Sequence, residues 1–119
     1  MRNFRKLDIW SDSIKLCKAI YLFSNQLPKE EQYGIVSQIK RASVSIPSNI
    51  AEGASRKSER EYSRFLEIAI GSSFEVENLL ILTQELGFAT NEQVQPVLEQ
   101  LESVQKPINA LISVKANSQ

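Results

Sequence analysis

Apolar residues recur at alternating steps of three and four along four successive stretches of this 119-residue chain. That spacing keeps one side of an α-helix apolar over several turns, and a strand cannot use it. The first row is Leu7, Trp10, Ile14, Cys17, Tyr21; the second is Ile35, Ile39, Ala42, Ile46, Ile50, Gly53. The third is Tyr62, Phe65, Ala69, Ser72, Val76, Leu79, Thr83, Leu86, and the fourth Val94, Val97, Leu101, Val104, Ile108, Leu111. Punctuation divides the rows: Leu27-Pro28 stops the first helix and opens the second, and Gly53 with the polar residues after it closes the second. Ser58 with Glu61 and Thr90 with Gln93 form capping boxes, and Gly87 is a C-terminal stop. Pro96 falls in a first turn, whereas Pro107 lies deeper, where it should kink the last helix. The spacing predicts helices over about 8–26, 29–54, 58–87 and 91–114, with a frayed tail from Lys115 to Gln119. Short connections make neighbours antiparallel. The expected fold is all-α: one domain spanning 1–119, an up-down-up-down four-helix bundle whose second helix is kinked at Pro47.

Composition excludes several kinds of chemistry. Histidine is absent and Cys17 is the sole cysteine. Ser-His-Asp and Cys-His catalysis, ordinary zinc sites and the Glu-x-x-His di-iron pattern of bundles are therefore ruled out. Gly34, Gly53, Gly71 and Gly87 are too scattered for a phosphate loop. Asp8, Asp12, Glu30, Glu31, Glu52, Glu75 and Glu77 could supply paired carboxylates, but such groups on a bundle more often partner cations and backbone amides. The expectation is no enzyme, no cofactor and no metal. The apolar runs are too short to span a bilayer, and no apolar region follows the charges of the N-terminus, so the expected location is cytoplasmic and off the membrane. Cys17 reads as a buried packing residue.

The irregular place is helix two, where Pro47 interrupts an otherwise amphipathic row. Proline has no N–H, so the Ser43 carbonyl loses its donor four residues on. Ser43, Ser45, Ser48 and Asn49 lie within reach of the freed backbone. Arg41 and Glu52 lie on similar faces three turns apart, too far to pair, so each is expected to find another helix, with Glu75 and Glu77 open to Arg41. The favoured reading is a polar network that fixes helix register; the alternative is that the same groups hold a ligand or partner.

At these residues the chain resembles a family of four-helix bundle proteins encoded in intervening sequences of bacterial 23S rRNA genes. The resemblance runs through Leu27-Pro28, Glu31, Tyr33-Gly34, Gln38, Arg41-Ala42, Ser45-Ile46 and Asn49-Ile50-Ala51-Glu52-Gly53. It continues through Phe65-Leu66, Ile68-Ala69, Gly71-Ser72 and Glu75. It makes Arg41, Ser45, Pro47, Asn49, Glu52, Gly53, Gly71, Ser72 and Glu75 the signature set. The wider family is similar to the accessory proteins of diversity-generating retroelements, which resemble pentameric barrels with basic, nucleic-acid-binding surfaces. The resemblance thus implies a homopentamer and no defined biochemical activity.

Two surfaces remain. Helix three carries a second apolar row, Ile70, Phe74 and Ile81 with Phe88 beyond it, and a small-residue patch at Ala69-Ile70-Gly71-Ser72-Ser73. These read either as a thick core or, preferably, as the interface of a homo-oligomer. Lys40, Arg41, Arg56, Lys57, Arg60 and Arg64 are candidates for an RNA- or DNA-binding surface. Interleaved Glu59, Glu61 and Glu67 favour an ordinary charged face, and no aromatic residues alternate with the cations for base stacking. Charge is uneven: residues 1–60 hold 11 basic and 6 acidic residues, and residues 61–119 hold 3 and 8. Such asymmetry fits either a polyanion-binding face or two halves that pair.

Overall fold

A computed structural model describes residues 2–117. It has four helices, α1 (Asp8–Ser24), α2 (Ile35–Ala54), α3 (Glu59–Glu85) and α4 (Asn91–Asn117). They pack in a ring, α1 on α2, α2 on α3, α3 on α4 and α4 back on α1, forming a rod of 46 × 21 × 20 Å. This is the expected four-helix bundle, and no strand occurs among the described residues. Among the described residues no helix is long and apolar enough to cross a membrane.

The helix ends follow their local chemistry. Ser58 Oγ accepts the Glu61 amide at 3.1 Å. At α4 the box is reciprocal: the Thr90 amide donates to Gln93 Oε1 at 2.8 Å and the Gln93 amide to Thr90 Oγ1 at 3.2 Å. Gly87, at φ 78°, takes the left-handed conformation that ends α3. The Phe88 amide returns to the Thr83 carbonyl and the Gly87 amide to the Gln84 carbonyl. Two ends differ from expectation. Residues Lys29–Glu31 form a 3₁₀ turn with tighter i→i+3 bonds, and α2 begins only at Ile35. At the other end, α4 continues through Lys115, which ion-pairs with Glu59 and lies 5.3 Å from the Tyr62 ring centre. The rest of the expected tail, 118–119, lies outside the described residues. Both α2 and α4 run through their internal prolines as single helices.

The apolar rows of α2 and α4 face the core as expected, from Ile35 to Gly53 and from Val94 to Ile108. In α1 the buried row is instead Ile9, Ser13, Leu16, Ile20 and Phe23, one residue away from the expected one. The helix has two adjacent heptad rows, and serine made the true one look polar. Its hydroxyls are satisfied locally, Ser13 Oγ donating to the Trp10 carbonyl and Ser24 Oγ to the Ile20 carbonyl, each at 2.7 Å, so they bury cheaply. The row Trp10, Ile14, Cys17, Tyr21 is left partly or largely exposed. The core face of α3 keeps Tyr62, Ala69, Val76, Leu79 and Thr83 of the expected row and widens to Leu66, Ile70, Ser73 and Leu80, leaving Phe65 and Ser72 half-buried and Leu86 outside. Two expected interface residues therefore belong to the core: Ile70 is buried, and Phe88 packs against the core where the C-terminal cap of α3 turns it inward.

Gly53 sets how closely α2 and α3 approach. A Cβ there would stand 2.6 Å from Phe65 Cβ and 3.2 Å from the Tyr62 ring. Gly53→Ala gains about 1 kcal/mol of helix propensity but forces apart a close backbone contact, at about 1–3 kcal/mol for overpacking. The expected outcome is a lower urea midpoint. A midpoint at or above that of the wild type would show that the helices are not held together at this point.

Candidate functional site

The polar residues around Pro47 form a belt at mid-height that ties the helices together. The Ser43 carbonyl, which proline deprives of its helical donor, receives the Cys17 thiol from α1 at 2.9 Å. Cys17 is thus a hydrogen-bond donor as well as a packing residue, and the freed backbone is satisfied from a neighbouring helix rather than by its own serines. Ser43 Oγ donates to the Lys40 carbonyl at 2.8 Å. Burial holds the Cys17 thiol above its usual pKa, with the nearby Ser43 hydroxyl opposing, so the donor form persists at neutral pH.

On the other side of α2, Ser45 Oγ meets Ser72 Oγ of α3 at 2.8 Å. Asn49 Nδ2 donates to the Ser45 carbonyl at 2.8 Å and to Ser45 Oγ at 3.0 Å. The next residue of α3 continues the belt. Ser73 Oγ donates to the Ile70 carbonyl and accepts Gln105 Nε2 of α4 at 3.2 Å, and the same amide nitrogen reaches Glu77 Oε1 at 3.1 Å. Consecutive serines, Ser72 and Ser73, therefore pin α3 to opposite neighbours.

The other signature residues divide. Gly53 serves the α2–α3 contact. Arg41, Gly71 and Glu75 point away from the bundle: all three are exposed, and a Cβ on Gly71 would meet nothing within 4 Å. Arg41 forms no ion pair with Glu75 or Glu77 among the described residues. Glu52 does not reach another helix; it holds Arg56, one turn on, at 3.5 Å.

The six candidate cations form two groups. Lys40 lies over the Tyr21 ring, 4.9 Å from its centre, and Arg41 lies beside it on α2. Arg56, Lys57, Arg60 and Arg64 collect at the α2–α3 corner. Arg56 stacks on Phe65 at 4.8 Å, and Arg56 and Arg64 line a groove of about 340 Å³ with Glu61, Phe65 and Ile68. Lys57, Arg60 and Arg64 are exposed and form no ion pair among the described residues. Sequence reasoning missed Arg2, whose guanidinium lies 4.0 Å from the Tyr62 ring centre, pairs with Glu59 and donates to the Arg56 carbonyl. Tyr62 is buried, and its hydroxyl has no hydrogen-bond partner among the described residues; burial raises its pKa, and the Arg2 charge partly offsets this.

Among the described residues, apolar surface stays open on both sides of the α2–α3 pair, besides a groove between α1 and α4 that includes exposed Leu22. One side is a groove of about 290 Å³ between α1 and α2, lined by Trp10, Ile14, Cys17, Val44, Pro47, Ser48 and Ala51. The other is the outer side of α3, where Phe74 is 55% exposed, Ile81 45% and Leu82 39%.

A family model described as 23S rRNA-intervening sequence protein matches residues 5–110. A crystal structure of a protein of unknown function from the S23 ribosomal protein family of Bacteroides thetaiotaomicron superposes with a TM-score of 0.79 at 22% identity. The match covers 87% of this chain and 97% of that one. A comparison with curated proteins gave no match.

Removing the thiol tests the belt. Cys17→Ala leaves the Ser43 carbonyl without its donor and should cost about 1–3 kcal/mol; Cys17→Ser restores a donor and should cost less. The raised thiol pKa adds a pH signature. Its stabilisation is complete below the ordinary thiol pKa of about 8.5 and is lost as pH rises from there through the folded-state value. The stability gap between wild type and Cys17→Ser, followed by thermal denaturation, should therefore shift against the wild type above that pH. Equal losses in the two variants and a pH-independent gap would mean that the contact contributes nothing.

Proposed function

The chain belongs to the 23S rRNA-intervening sequence protein family, and from that premise we propose that it acts without catalysis, as a self-assembling four-helix bundle in the cytoplasm. Its working form is a homo-oligomer, a homopentamer by the family resemblance, that presents the repeated bundle surface as an interaction module. The observation that carries this reading is the pair of open apolar faces. Ile14 and Val44 lie together on one, beside Trp10, which also packs against the core, and with exposed Tyr21 further along α1; Phe74, Ile81 and Leu82 lie on the other. Exposed apolar faces of this kind mark association surfaces. Gly71 supports the same reading: a mid-helix glycine costs about 1 kcal/mol relative to alanine, and among the described residues nothing lies within 4 Å of where its Cβ would be.

The second reading is nucleic-acid binding. Lys57, Arg60 and Arg64 favour it, because they cluster at one end of the rod with no ion pair among the described residues to occupy them. Repetition around an oligomer would strengthen their field. Arg56 contributes less, since Phe65 and Glu52 already engage it.

Light scattering at micromolar concentration should give a mass that is a multiple of 13.5 kDa; a monomer would refute assembly. For the second reading, RNA retention should fall steeply as salt rises and should drop in Arg56→Ser/Arg60→Ser/Arg64→Ser. Unaltered retention in that triple variant would remove this corner as the binding surface.

A further inference from the structure

We infer that copies of this chain associate front to back, the α1–α2 groove of one copy seated on the outer face of α3 of the next. The inference rests on the self-assembly proposed above and specifies the surfaces that meet. Charge at mid-height of the two apolar faces is opposite in sign, with Glu52 lying at the far end of the groove beside Ala51. Lys18 lies one turn from both Ile14 and Tyr21 on α1, Lys40 covers Tyr21, and Arg41 stands one turn from Val44. Around Gly71, Phe74, Ile81 and Leu82 the charges are Glu67, Glu75 and Glu85; between residues 65 and 85, α3 carries four glutamates and no lysine or arginine. Pairing like faces would set cations against cations or carboxylates against carboxylates, which is costly at an interface. Pairing unlike faces matches them, and a contact between two different patches is head-to-tail, so it generates a ring or a filament rather than a symmetric dimer.

Height agrees with charge. The Ser45–Ser72 contact sets these residues level on antiparallel helices, and the Cys17–Ser43 contact does the same for α1 and α2. Arg41 lies four residues before Ser45, about 6 Å up the rod at 1.5 Å per residue, which is the level of residue 76 on α3. Lys40 is one residue higher, and Lys18 lies close to Ala42. In copies standing side by side, the three cations of one face Glu75 of the next. Gly71, one turn from Glu75 with open space at its Cβ, gives the neighbouring helix room to approach.

The experiment exchanges the charges. Lys18→Glu/Arg41→Glu alone, and Glu67→Lys/Glu75→Lys alone, should each raise the dissociation midpoint at least tenfold in sedimentation at low salt. Thermal denaturation serves as the control for folding. The four changes combined in one chain set position 75 opposite 18 and 41 again with the signs exchanged, and should recover assembly relative to either pair alone. An oligomer whose midpoint is unmoved by either pair, or one weakened further by the combination, overturns the front-to-back arrangement while leaving self-assembly intact. A wild-type chain that is monomeric overturns the assembly reading and this inference with it.

Discussion

One missing N–H organises this bundle. Pro47 removes the donor that the Ser43 carbonyl would have inside α2, and the Cys17 thiol of α1 takes that place. Alone, each group would be a liability, since a buried unpaired carbonyl costs about as much as a lost hydrogen bond. Together they join two helices at one level. Ser45 with Ser72 and Ser73 with Gln105 extend the same belt across α3 to α4. Apolar rows alone leave helices free to slide by a heptad, because one turn of Ile or Leu packs much like the next. Directional bonds at mid-height remove that freedom, and everything displayed on the outside inherits its position from them.

The rows that were legible in the sequence were those with a single solution. In α2 and α4 one side is apolar and the rest polar, so periodicity names the core directly. In α1 two apolar rows stand side by side, and Ser13 and Ser24 disguise the inner one because their hydroxyls bond within the helix. Periodicity cannot choose between such rows; packing does. The loss of the Ser43 donor could be read from Pro47, but the group that replaces it comes from 26 residues away in sequence and had no local signal. Gln105 and Arg2 were hidden for the same reason. Gly53 and Gly71 look alike in the sequence, yet one is required by a neighbour at 2.6 Å and the other faces open space.

That last contrast shapes the functional reading. Features a folded monomer would not need remain on its surface: an apolar groove beside the proline segment, a glycine at the middle of an outer helix face, and cations and carboxylates segregated to different sides. Part of the charge asymmetry between the halves of the chain, which as composition allowed either a polyanion-binding face or pairing halves, lies around the two apolar faces, and part at the α2–α3 corner. The arginine-rich corner at the start of α3 lies away from the belt and leaves room for a further partner at the rod's end.

Trp10 offers the most direct test, being the one tryptophan of the chain and lying in the α1–α2 groove. Acrylamide quenching of its fluorescence, followed over a dilution series, reports whether that groove is covered. Seating α3 of another copy there predicts strong protection at high concentration that is lost on dilution as the copies separate. Quenching equally efficient at every concentration, in a protein that scattering shows to be assembled, would contradict it.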